Sequence, residues 1–269
     1  MRREDQRGHQ APGPLDPPWA DGRQVALARR WQRLRDGVPS VLYLVAWAVV
    51  MVAVGTALGM LLARLPGGEA LSRADSGVDR WFAAHRTKGW NTTSHMATDA
   101  AETLTITILA VLTFAATAFV WRRWREPLLV AAAVTGEVTI FVLITMLVDR
   151  PRPPVSHLDV APPTSSFPSG HTAAAVALYG AWAVLAWERA RSALLRGLLT
   201  VLAGVMPVIV ALARLYRGMH FPTDVIAGAA LGASWLAVSV RAIRLGAVHH
   251  GLRAARSGAL RRRFEARHG

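Results

Sequence analysis

The chain has 269 residues, 52% of them hydrophobic, no cysteine and a formal net charge of +14. Without cysteine, neither disulfides nor thiolate metal sites are open to it. The positive charge would suit nucleic acid, but it is parcelled between long apolar blocks, and that placement argues for a membrane protein and against a nucleic-acid partner.

In chain order, residues 1–37 carry "APGPLDPPWADG" and many charges, which reads as a basic, partly disordered tail with a short surface helix at 24–35. The first apolar block, 38–63, follows this long polar stretch and is read as an uncleaved span, not a signal peptide. Further blocks lie at 103–121, 127–148, 172–187, 193–213 and 223–240. Each approaches the ~17–25 residues needed to cross a ~30 Å hydrocarbon layer. The expectation is an all-α polytopic membrane protein, with a six-span domain over 38–244 and a second basic tail over 245–269.

Of the 31 Lys and Arg, 8 precede the first span, 3 lie at 122–125, 3 at 189–196 and 8 follow residue 240, so 22 share one side. That asymmetry places both termini in the cytoplasm, with the tails solvated or on anionic lipid. Trp121, Trp124 and Trp187 sit at span ends, where amphipathic rings anchor at the interface. Between the first two spans, 65–102 is a polar external stretch whose "SGVDRWFAAHRTKGW" is amphipathic and suited to the outer membrane surface, and Asp99 to Glu102 reads as a helix start. Gly55-x3-Gly59 and Gly228-x3-Gly232 have the spacing of close helix packing. Glu137, in the third span, must face the bundle interior, either hydrogen-bonded to a neighbouring helix or lining a substrate groove or proton path.

Three segments share the external face: "DRPRPP" at 149–154, "FPSGHT" at 167–172 and "RLYRGMHFPTD" at 214–224. They bring Arg150, Arg152, Arg214 and Arg217 to one boundary with His171, His220, Ser169 and Asp224. Such a cationic, His-containing set suits a phosphate. In "PSGH", Ser169 caps a helix whose first N–H groups, at Gly170 and His171, form an anion site, although Ser-Gly is also an ordinary cap. Pro222 fits a first helical position, so His220 precedes a helix that holds Asp224 in its first turn. The expectation is that Asp224 accepts Nδ1–H of His220 and leaves Nε2 free. An imidazole held that way serves as metal ligand, base or nucleophile, and no second cluster of ligand spacing favours a metal.

Arg152-Pro153, Pro168-Ser169-Gly170-His171 and Arg214-x5-His220-x3-Asp224 resemble the three-part signature of the type 2 phosphatidic acid phosphatase superfamily, which also holds the vanadium haloperoxidases. The likeness covers roughly residues 100–240. Two positions depart from it. The family's Lys-x6-Arg-Pro has Thr145 in the Lys place, with Arg150 as a substitute charge, and its Ser-Arg is Ala213-Arg214.

The resemblance implies a phosphatidic acid phosphatase type 2/haloperoxidase-like helical bundle. It implies a metal-independent, cofactor-free phosphatase acting on a lipid phosphate or diphosphate: polyprenyl diphosphate, phosphatidylglycerophosphate or phosphatidate. His220 would attack phosphorus to give a phosphohistidine, Asp224 would orient it, and His171 would protonate the leaving oxygen. Arg152, Arg214, Ser169, Gly170 and Arg150 would hold the phosphate. The excess of Arg over Lys and the abundant Ala suit a GC-rich bacterial genome and so favour polyprenyl diphosphate. The site would open on the non-cytoplasmic face of the cell membrane. The alternatives are a phosphotransferase using the same intermediate and, given Thr145, a degenerate lipid-phosphate-binding protein without activity.

Overall fold

The structure is a computed structural model that describes residues 22–64 and 69–268, with side-chain surroundings over 38–63 and 73–246. The expectations for residues 1–21 lie outside the described residues. Those that remain form eight helices and no strand: α1 (Gly22–Arg64), α2 (Glu69–Ala84), α3 (Lys88–Asp99), α4 (Thr103–Trp121), α5 (Arg125–Leu147), α6 (Gly170–Arg189), α7 (Ala193–Tyr216) and α8 (Pro222–His268). The chain divides into two compact units, one of Met1–Tyr43 with Arg244–Gly269 and one of Leu44–Ile243. The site described below lies wholly in the second. The helix expected at 24–35 is not a separate element but the opening of α1.

Among the described residues, five helical segments are long and apolar enough to cross a membrane: Val38–Ala63, Thr103–Trp121, Arg125–Leu147, Ala193–Tyr216 and Pro222–Gly246. The block expected as a span at 172–187 is α6, which falls outside that set. The reason is its surroundings. α6 touches α4, α5 and α7, and Ala173, Ala175, Ala177 and Ala181 are fully buried. A helix enclosed by other helices gains from small side chains that admit close packing, whereas a lipid-facing helix needs bulk. α4 shows the opposite pattern, with Leu104, Val111, Leu112 and Phe119 exposed. Apolar faces of this extent fit a hydrocarbon surrounding, and the protein is multi-pass.

α2 is amphipathic, as expected, and its orientation is specific. Its buried edge carries Asp75 and Asp79, at 3% and 1% exposure, while Val78 and Trp81 are exposed. The polar edge faces the protein.

The Gly228-x3-Gly232 stripe sets the contact that matters most. A Cβ on Gly228 would stand 2.3 Å from the carbonyl oxygen of Ser169, and one on Gly232 would stand 2.4 Å from that of Ala173. The start of α8 therefore lies directly on the backbone at the start of α6. Gly59, on the first span, is met by the side chains of Phe167 and Val148. Both glycine pairs sit at close packing contacts, as their spacing predicts.

Because the partner at Gly228 is backbone and cannot swing aside, Gly228→Leu should separate α8 from α6. Overpacking of this kind costs about 1–3 kcal/mol, so a lower melting temperature in detergent is expected. Gly204, which has open space around it, is the control: Gly204→Leu should leave the melt unchanged.

Candidate active site

The α5–α6 connection is a long loop closed at its base. Ser166 N–H donates to the Arg150 carbonyl at 2.9 Å, and Ser166 Oγ donates to the Pro151 carbonyl at 3.0 Å. Ser165 Oγ accepts from the N–H groups of Arg150 and Phe167, at 3.3 and 3.1 Å. These bonds tie "DRPRPP" to the residues just before α6. The loop's outer part is held by the other two external segments: Leu158 N–H donates to the Arg217 carbonyl at 3.1 Å, and the Arg86 guanidinium donates to Ser156 O at 2.7 Å and to Tyr216 O.

His220 lies between α7 and α8, 5% exposed. Its Nδ1 is 2.7 Å from the Ser166 carbonyl oxygen. A carbonyl only accepts, so Nδ1 carries the proton and Nε2 keeps its lone pair. The expected tautomer is present, but its partner is not Asp224, whose Oδ2 stands 3.9 Å from Nδ1. Asp224 accepts instead from the Phe221 N–H at 2.9 Å and pairs with Arg150. Those partners hold the carboxylate at its own helix start, beyond hydrogen-bonding distance of the ring. Burial, then the Arg214 and Arg152 guanidiniums, hold the His220 imidazole well below its ordinary range, so it is neutral.

A cavity of about 970 Å³ opens against His220, His171, Arg152, Arg214 and Gly170. Arg152 donates to the Met219 carbonyl at 2.8 Å and Arg214 to Asp159 at 3.0 Å. In both guanidiniums the buried Nε has no partner. Two partnerless buried donors on residues that line the cavity are suited to an anion. Burial also lowers the Arg152 guanidinium from its ordinary range, with the Asp224 carboxylate opposing it. Gly170 and His171 open α6, where first-turn N–H groups lack intrahelical acceptors. The glycine is steric as well: a Cβ at Gly170 would stand 2.7 Å from the Phe141 ring, which is itself cavity wall.

Two expected phosphate ligands are placed otherwise. Ser169 is the N-cap of α6, yet its hydroxyl makes no cap bond. The residue is fully buried, and its hydroxyl pairs with Thr172 Oγ1 at 3.0 Å, behind the cavity wall. Arg150 reaches the cavity, but its donors are spent on Asp75 at 3.0 Å, on Thr223 at 2.8 Å and on Asp224. Its guanidinium also lies 4.4 Å over the Phe221 ring. The guanidinium is thus held between two carboxylates. Thr145 lines the cavity but turns its hydroxyl back to the Phe141 and Val142 carbonyls of its own helix.

Three carboxylates around the site went unread in the sequence. Asp75, on α2, accepts from Thr223 Oγ1 at 2.6 Å and Thr223 N–H at 3.3 Å, as well as from Arg150. It thereby caps α8 and fixes the arginine that fixes Asp224. Asp79, one turn on, is buried with neither oxygen partnered. Burial, followed by the charges of Asp75 and Asp224, pushes it up to about 7. Asp159, in the loop, is gripped by Arg217 and Arg214. Burial would raise it, but the Arg217 hydrogen bond and the two guanidinium charges hold it below the usual carboxylate range. The i, i+4 spacing of Asp75 and Asp79 on one edge of an amphipathic helix was the available signal.

Residues 126–245 match the family model described as the PAP2 superfamily. Over 120 residues the chain is 38% identical to the decaprenylphosphoryl-5-phosphoribose phosphatase of Mycobacterium tuberculosis, covering 42% of this chain and 59% of that protein. Over 118 residues it is 30% identical to phosphatidylglycerophosphatase B of Bacillus subtilis, covering 42% and 56%. The chain thus spans less than two thirds of the length of the curated relatives it matches. In fold it resembles the transmembrane PAP2-type phosphatidylglycerolphosphate phosphatase of Bacillus subtilis, with a TM-score of 0.60, 22% identity and coverage of 76% and 93%. It also resembles LpxE of Aquifex aeolicus, with a TM-score of 0.50, 19% identity and coverage of 62% and 95%.

The Asp79 environment gives a pH test. An acid raised from 3.8 to about 7 on folding binds more protons folded than unfolded, so its burden on stability grows as pH rises between those values. Asp79→Asn removes the burden. The variant's gain in melting temperature should be small near pH 4, increase towards pH 7 and level off above it.

Proposed function

We propose that the chain, whose residues 126–245 match the PAP2 superfamily model, is a member of that superfamily and a phosphatase of membrane lipid phosphates working through a phosphohistidine. One observation carries this reading: the neutral His220, its Nδ1 tied to Ser166, lines a cavity shared with His171 and two guanidiniums whose Nε groups lack partners.

The steps follow from those groups. Arg152 and Arg214 turn their spare donors to the phosphate oxygens, joined by the N–H groups at the start of α6. The phosphate's negative charge favours the protonated form of His171. His220 Nε2 attacks phosphorus, a P–N bond forms, and the P–O bond to the lipid alcohol breaks as His171 delivers its proton to the departing oxygen. Asp224, 3.9 Å from Nδ1, stabilises the positive charge on the phosphorylated ring through space. His171, now neutral, takes a proton from water, whose oxygen attacks phosphorus. The P–N bond breaks, phosphate leaves, and both imidazoles return to their starting forms. Arginines and a helix terminus meet the phosphate charge, so the steps require no divalent cation.

The substrate is a phosphate-headed lipid reached from the membrane. Polyprenyl diphosphate, phosphatidylglycerophosphate and phosphatidate all present the required group. The site faces the non-cytoplasmic side and both termini face the cytoplasm, a reading supported by the distribution of basic residues.

Phosphate release from these lipids should persist in excess chelator, and His220→Asn should abolish turnover. Arg152→Ala should lower kcat/KM by roughly 10²–10³, the usual loss for one charge-stabilising donor. Magnesium-dependent activity, or a His220→Asn enzyme that still turns over, would refute the assignment. Orientation can be tested separately because the chain has no cysteine. Val160, 96% exposed in the α5–α6 loop, changed to Cys should react with a membrane-impermeant maleimide in intact cells.

A further inference from the structure

The cavity extends beyond what a phosphate needs. From Gly170 and His171 it continues past Phe141 and Ala174 and between α4 and α5. Below, it is closed by Ile106, Val134 and Ala174, which join an apolar cluster with Leu178. On this inner wall stands Glu137, one turn of α5 beyond Phe141, or about 5–6 Å along the helix. It is 1% exposed, and neither carboxyl oxygen has a hydrogen-bond partner. The hydroxyls closest along α5, those of Thr135 and Thr139, bond to their own helix at 2.6 and 2.7 Å. Among the described residues no group bonds this carboxyl, and a buried polar group of that kind costs stability unless something satisfies it.

We propose that Glu137 is a specificity subsite that accepts a hydrogen bond from a hydroxyl on the alcohol side of the substrate, so that the preferred lipid is a phosphate monoester of a polyol. The inference rests on the phosphatase reading. In-line attack by His220 puts the leaving oxygen opposite the nucleophile, on the His171 side. The atoms next to that oxygen then lie along the wall that runs from His171 through Ala174 to Glu137. A carboxyl accepts from a hydroxyl in either protonation state.

The test uses the full-length protein in detergent with two lipids. Phosphatidylglycerophosphate has a free hydroxyl on its departing glycerol, and phosphatidate has none on its diacylglycerol. Glu137→Leu should lower kcat/KM for the first by roughly 10–10² and for the second by less than about threefold. Glu137→Gln, which keeps an acceptor oxygen, should retain most of the activity. Removing an unpaired buried carboxyl should not lower the melting temperature. An equal loss on both lipids, or a clear fall in melting temperature, would make Glu137 a structural residue and overturn the subsite. So would unchanged selectivity. If the unaltered protein releases phosphate from no lipid, the phosphatase reading falls and takes this inference with it; activity with an indifferent Glu137→Leu removes the subsite alone.

Discussion

The site depends on two helix starts being pressed together. Gly228 and Gly232 let α8 rest on the backbone of α6, and the Ser169 N–H then donates to the Asp224 carbonyl at 3.0 Å. With those termini fixed, the residues just before each helix are neighbours, and His220 finds the Ser166 carbonyl 54 positions away in the chain. In a hydrocarbon surrounding, apolar area gives little reason for helices to associate, so close backbone approach through small residues has to supply it. The same requirement explains why α6, rich in buried alanine, is less apolar than the helices around it.

Around that contact the arginines are sorted by their partners. Arg150 is committed to Asp75, Asp224 and Thr223, and Arg217 to Asp159, Asn91, Ser94 and Leu158. Both are held by groups of the protein itself. Arg152 and Arg214 keep an unpaired Nε at the cavity. Four guanidiniums crowded into one site would repel one another and disperse without counter-charges, and the carboxylates of α2 and the α5–α6 loop supply them. Asp75 lies well outside residues 126–245, the segment matched by the family model. The polar edge of α2 is thus part of the site's support, and α2's place against Thr223 and Arg150 follows from it.

The cavity combines two environments. At one end are helix N-termini and guanidiniums, which suit a compact anion; along α4 and α5 are apolar side chains with Glu137 among them. A ligand that fills both is amphiphilic, with its charge held at the helix ends and its bulk directed between helices. The two imidazoles line the first region, next to where the second begins.

Much of this was legible in the chain. Block lengths and hydropathy located the long apolar helices, and the motif spacing singled out Arg152, His171, Arg214 and His220, which the structure gathers on one cavity, with Asp224 close behind His220. These features are local, fixed by periodicity and by helix-start chemistry. What the sequence left open was pairing at a distance. Whether Asp224 or a carbonyl holds His220, which two of four arginines stay available, whether the Ser169 hydroxyl faces the cavity, and which edge of α2 is buried all turn on residues dozens of positions apart. Each polar group has several partners within reach of its type, and only the packed geometry, set by backbone contact between α6 and α8, selects one.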